Sequence, residues 1–354
     1  MSMEKKWYPQ MDGLRTAAAA AVVMIHVSAG SAGGAAQVCN QLARFAVPLF
    51  ILLSAFGHGA PGQNLMQPVP LFLRRMKRIL PPFWLWSALY LLVDALFGRP
   101  HAAPLWDLIS GGAYMHLYFI VVLAQFELLY VPLYRAVERA PYQTLLLSGL
   151  ITLVMQALLC GAQLGLCRLP ALPVPYSSLF VPYLLFYTVG LWLRRRDALP
   201  VSGSGKRLVC IGLLWLVSAA AVLWTVRRFP TLGSLSLRPD LTVYVFTSGL
   251  LLWELGSMVR QMPRPVRRLS ELSFALYLSH PLVMRLWNEW TVRQEPVIYL
   301  RLWQSWLMTF AGGLLIAGLV SCLPHGSLLG GAPHRKSNKI TEGKHGEKTR
   351  NKSI

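Results

Sequence analysis

Long apolar runs separated by short polar clusters are the dominant pattern from residue 13 to residue 323. A bilayer core about 30 Å thick is crossed by a helix of about 20 mostly apolar residues, with about 17 to 25 tolerated. Ten stretches meet that requirement, running roughly Gly13 to Ala29, Arg44 to Ala60, Ile79 to Phe97, Gly112 to Tyr134, Thr144 to Leu164, Ser178 to Leu193, Leu208 to Val226, Leu241 to Val259, Leu272 to Asn288 and Leu302 to Leu323. The pattern predicts an all-α, polytopic membrane helical bundle of about ten transmembrane helices. Residues 1–325 form that domain and residues 326–354 a basic cytoplasmic tail, expected to be disordered because Ala332 to Ile354 carries too few apolar side chains to offset the entropy of ordering.

Composition sharpens the picture. Charged residues make up 14% of the chain and apolar residues 55%, whereas soluble domains carry about 25% charge. The net charge of +20 would suggest nucleic acid if it lay on one soluble face. Here it follows the loops, so no nucleic-acid partner is expected. With the first residues cytoplasmic, 24 Lys and Arg fall in inside segments and nine in outside ones, with Arg15 left within the first helix. That asymmetry obeys the positive-inside rule and predicts both termini cytoplasmic. Lys5 and Lys6 precede no short apolar stretch with a cleavage site, so the first helix is expected to stay as an uncleaved anchor. Five scattered cysteines show no metal-ligand spacing, although Cys160 and Cys167 fall near one predicted outer loop and could pair on an oxidising face.

Ionisable residues inside a membrane are costly and are read as functional hypotheses. Arg15 and His26, eleven residues apart, share one helix face at levels about 16 Å apart. Asp12 and Gly13 fit the start of that helix as cap and first turn. A neutral imidazole at the depth of His26 suits a general base, and a satisfied polar group would look the same in sequence. The run Arg74-Arg75-Met76-Lys77-Arg78 ahead of Pro81-Pro82 reads as a stop-transfer cluster or, with Arg75 and Arg78 on neighbouring positions of a helix face, as a clamp for phosphates. Asp94, His116, Glu127, Glu254, His280 and Glu289 are further in-membrane candidates, His116 and Glu127 repeating the eleven-residue spacing. Ser54 can bond its own helix backbone. No Gly-x-Ser-x-Gly elbow and no HExxH occurs, which argues against soluble-hydrolase and zinc-protease chemistry.

Taken in order, several of these segments resemble the acyltransferase-3 family of bacterial integral membrane acyltransferases. The resemblance is carried by Met11-Asp12-Gly13-Leu14-Arg15 followed after ten intervening residues by His26, Val47-Pro48-Leu49-Phe50 to Ser54-Ala55-Phe56, Arg75-Met76-Lys77-Arg78, His116-Leu117-Tyr118-Phe119, and Leu276-Tyr277-Leu278-Ser279-His280-Pro281. It covers about Gln10 to Leu323. The family usually has Ser-Gly at Ser54-Ala55 and commonly Trp at Tyr118. The resemblance implies that His26 acts in acyl transfer with Arg15 in support, and that Arg75 and Arg78 help hold a cytoplasmic acyl-coenzyme A. Asp12, Ser54, His116, Glu127, Tyr277 and His280 are carried as supporting residues.

The expected function is that of a multi-pass O-acyltransferase of the bacterial cytoplasmic membrane. It would move an acyl group, acetyl in the first instance, from acetyl-CoA as co-substrate to a hydroxyl of an envelope glycan, lipid-linked sugar or similar acceptor. Membrane lipid, donor and acceptor are the expected partners, with no bound cofactor and no metal. The competing reading is a membrane transporter of saccharide or acylated cargo using the same polar stripe.

Overall fold

A computed structural model describes residues 8–29, 34–58, 68–196, 205–259, 261–292 and 301–332. The described residues are all-helical: α1 (Gln10–Val27), α2 (Gly34–Ala43), α3 (Ala46–Gly57), α4 (Pro68–Leu96), α5 (Pro104–Ser110), α6 (Tyr118–Arg139), α7 (Pro141–Gln163), α8 (Leu184–Arg196), α9 (Gly205–Arg228), α10 (Pro239–Ser257), α11 (Arg264–Val292) and α12 (Arg301–Cys322). Among them, six helical segments are long and apolar enough to cross a membrane: α2 with α3, α4, α6, α7, α9 and α12. The other four expected stretches fall on α1, α8, α10 and α11. Of these, α8 has 13 residues, while α1, α10 and α11 carry charged groups that lower their hydropathy.

The helix boundaries depart from the apolar pattern where proline and glycine intervene. Within the stretch Arg44 to Ala60 the helix α3 starts only at Ala46, after a turn at Arg44 and Phe45 that parts it from α2, because a continuous helix would drive the Pro48 ring into the Arg44 carbonyl four residues earlier. Helix α4 begins at Pro68, eleven residues before the expected Ile79, so the basic cluster is helical; prolines in a first turn forfeit no intrahelical bond. Helix α1 begins at Gln10, which puts Asp12 in the first turn instead of at the cap, where its negative charge still complements the helix dipole. Residues Gly326–Leu329, expected in the tail, form a 3-10 turn against α4, with the Trp86 indole donating to the Leu329 carbonyl at 3.0 Å. Residues 333–354 lie outside the described residues, as do Lys5 and Lys6.

Helix α1 is the hub, packed against α2, α3, α10, α11 and α12. Ala18 and Ala19 are buried on it, and small side chains of this kind are what let membrane helices approach closely. The peripheral helices α7 and α9 turn large apolar side chains outward, Leu146 being 76% and Val217 68% exposed, as lipid contact requires. Helices α3 and α8 touch at backbone level through Gly190, where an added Cβ would lie 2.3 Å from the Leu52 carbonyl oxygen and 2.8 Å from the Ala55 Cβ. Gly190→Ala is expected to destabilise the bundle by about 1–3 kcal/mol through forced separation of these helices. A lowered unfolding midpoint in detergent would register it; an unchanged midpoint would mean that the helices part freely.

Candidate active site

The C-terminal end of α1 carries His26 in its last turn. Two histidines from distant parts of the chain meet it there. His280 comes from the middle of α11, with ring centroids 5.3 Å from those of His26, and His116 from the turn before α6, at 6.3 Å. The His116 and His280 rings are themselves 5.6 Å apart. His116 therefore does not sit on the helix with Glu127 as the eleven-residue spacing suggested. Gly111, at φ +80°, turns the chain after α5, and its missing side chain leaves room for the backbone of Leu117 and Tyr118.

Local bonds fix the trio. The Tyr277 hydroxyl donates to the His116 carbonyl, and the Tyr90 hydroxyl donates to the Leu278 carbonyl at 2.6 Å. His280 holds Nδ1 3.0 Å from the Leu276 carbonyl, and Ser279 donates to the Gly313 carbonyl at 3.1 Å. Gly313 lets α12 pass within a Cβ's reach of His280. Nε2 of His280 and both ring nitrogens of His116 are buried without a hydrogen-bond partner; the Leu278 carbonyl lies close to His116 but outside bonding geometry. Buried polar atoms are ordinarily satisfied, so imidazole nitrogens left in this state are suited to a substrate hydroxyl. Among the described residues no group of three His, Cys, Asp or Glu side chains is disposed to hold a metal ion.

A second polar cluster lies toward the other end of the bundle. Arg75 donates from Nη1 to Glu127 Oε2 at 2.5 Å and stacks on Tyr130 at 4.1 Å, while His58 Nε2 lies 2.7 Å from Glu127 Oε1. Arg15 reaches the same level, its Nη2 3.5 Å from where a Cβ of Gly57 would stand. Asp12, one turn before it, is buried, with Oδ2 unpartnered. Ser54 stands half-buried on α3, one turn before His58. Arg75 and Arg78 do not form one fork: Arg75 turns into the bundle toward Glu127, while Arg78 is exposed. The other carboxylates singled out are also engaged, Asp94 by Arg285 and His101, Glu254 by Arg207 and Glu289 by Arg99. Cys160 and Cys167 are free thiols.

Sequence reasoning missed three groups. Arg44 and Arg238, counted as loop charges, are buried, Arg238 completely. His58 supplies the third member of the Glu127 cluster. His101, in the loop after α4, bridges Asp94 (3.1 Å) and Asp107 (2.7 Å). Hydrogen bonds to Asp94 and Asp107 raise its pKa above the ordinary 6.5. A raised folded pKa means that the stabilisation is fully present below the unfolded value and is lost as pH rises through the folded one. The stability difference between wild type and His101→Gln is therefore expected to be largest in acid and to shrink toward alkaline pH. Unfolding midpoints taken across that range check it, and a pH-independent difference would remove the charge from the explanation.

The order of polar segments and the helical bundle agree with a match over almost the whole chain: a family model described as an acyltransferase domain covers residues 8–324. The chain belongs to the acyltransferase-3 family. It is accordingly a membrane acyltransferase, and the histidine trio and the Arg75–Glu127 cluster are the polar centres of an acyltransferase-3 bundle. No curated protein and no solved structure matches the chain.

Proposed function

We propose that this protein is an O-acyltransferase of the bacterial cytoplasmic membrane, with about ten spans and both ends cytoplasmic, moving an acetyl or similar acyl group from cytoplasmic acyl-coenzyme A to an envelope hydroxyl. The observation that carries the proposal is the meeting of His26, His116 and His280, with unpartnered ring nitrogens, in a chain of this family. On this topology the exposed Arg78 and its neighbours Arg74 and Lys77 face the compartment that holds coenzyme A thioesters, where they bind donor phosphates. Arg75, steadied by Glu127, shapes the inner mouth, and Arg15 lines the way up α1.

In the transfer step His26 takes the proton of the acceptor hydroxyl as its oxygen bonds to the thioester carbonyl carbon. The carbon–sulfur bond then breaks, and the coenzyme A thiolate leaves with the proton that the His26 imidazolium returns to it. His116 and His280 orient the reacting groups, and Tyr277 holds the His116 turn. The acceptor is a glycan, lipid-linked sugar or similar hydroxyl compound, and no acyl-enzyme is needed. The test is release of coenzyme A thiol by the purified protein given acetyl-coenzyme A and an envelope extract, followed by a chase with donor alone. Release that depends on acceptor and on His26 supports direct transfer; an acylated histidine trapped with donor alone contradicts the one-step route.

A further inference from the structure

A cavity of about 370 Å³ opens beside the C-terminal end of α1, lined by Ile25, Ser28, Asn40, Gln41, Arg44 and Gly233 among others. Its size falls in the range of sites for small molecules, about 300–1,000 Å³, and fits a sugar unit. Asn40, Gln41 and Arg44 are each more than nine-tenths buried. The Asn40 amide donates to the Ile25 carbonyl at 2.9 Å, which ties this wall to the residue adjoining His26, and Arg44 lies within electrostatic reach of His26.

Among the described residues the charge of Arg44 has no counterpart. Its guanidinium donates to Asn40 Oδ1 (3.0 Å), the Gly233 carbonyl (2.8 Å), Ser236 Oγ (2.7 Å) and the Ser234 carbonyl (3.4 Å), all neutral acceptors. Among the described residues no carboxylate pairs with it, while the neighbouring buried Arg238 is answered by Asp240 with two contacts of 3.1 Å. A guanidinium has five N–H donors, so these bonds hold it in place and leave one Nη2 hydrogen unused. A buried cation without an opposite charge is expensive, and the fold retains this one at the wall of a polar cavity.

We propose that this cavity is an acceptor subsite for an anionic sugar, whose carboxylate or phosphate pairs with Arg44 while a hydroxyl of the same unit reaches His26. The inference rests on the acyl-transfer reading for the role of His26, and on the cavity and the unanswered charge for the rest.

The test uses the full chain in lipid nanodiscs, titrated with methyl glucuronide, glucose 6-phosphate and methyl glucoside. At least one of the two anions is expected to bind 10-fold or more tightly than the neutral glucoside, and which of them does so separates carboxylate from phosphate recognition. Arg44→Gln is expected to erase the preference. Asn40→Asp, which supplies a carboxylate beside Arg44 and keeps the guanidinium, is expected to erase it too and serves if Arg44→Gln does not fold. Equal affinities, no binding of any probe at 100 mM, or a preference that survives Asn40→Asp overturns the subsite. Acetyl-coenzyme A is then added: charge-selective binding without acylation of any probe counts against acyl transfer and leaves the subsite standing, while equal kcat/KM for charged and neutral probes sinks the subsite and leaves acyl transfer intact.

Discussion

Replacing His26 with alanine is expected to lower acyl transfer by about 10²- to 10⁴-fold, the range that a general base contributes. The folded state is expected to survive, because His26 is half-buried and none of the hydrogen bonds that fix the trio is its own. His116→Ala and His280→Ala are expected to be milder per molecule of folded enzyme and harsher on stability, since both rings are buried at a junction of α4, α6, α11 and α12. Rates under saturating donor, together with unfolding midpoints of all three variants, decide between these roles. A His26→Ala enzyme that retains wild-type turnover would move the chemistry elsewhere.

Glu127→Ala is expected to be the most destabilising single change, costing about 3–5 kcal/mol, because it leaves the Arg75 guanidinium and His58 facing a site with no carboxylate. Glu127 and its partners come from α6, α4 and α3, so the loss loosens three helices at one level. Substituting both charged partners, Arg75→Met with Glu127→Met, is expected to cost less than Glu127→Ala alone, since no orphan charge remains. Unfolding in detergent for the single and double variants measures the coupling. If the double variant is worse than the single one by the sum of the parts, the ion pair is not what holds the cluster.

Much of the frame could be read in the chain. The stripe joining Arg15 to His26 needed only the helical period, and α1 and α3 run antiparallel in keeping with it: Arg15 meets Gly57 near one end of α3, and His26 faces the Arg44 end. The apolar stretches fell on helices because lipid leaves the backbone few other ways to satisfy itself. The meeting of His26 with His116 and His280 was beyond reach, since it depends on packing between residues 90 and 254 positions distant and on a turn closed by Gly111. The pairing of Arg75 with Glu127, 52 residues on, is invisible in a local cluster that reads as a stop-transfer signal. The burial of Arg44 did leave a trace in Pro48, which breaks the helix beside it, but charge counting assigned Arg44 to a loop.

On the proposed mechanism His26 is the base that drives attack on a coenzyme A thioester held at the basic inner face. Labelled acetyl-coenzyme A offered to the purified, detergent-solubilised protein tests it without knowledge of the acceptor. Wild type, His26→Ala, and Arg74→Ala combined with Arg78→Ala, both exposed, are compared at equal folded concentration. Donor binding is expected in wild type and His26→Ala, loss of binding in the arginine variant, and, with water in place of the acceptor, slow thioester hydrolysis in wild type alone. Folded wild type that binds no donor at millimolar concentration, or that cleaves it as fast without His26, would contradict that mechanism.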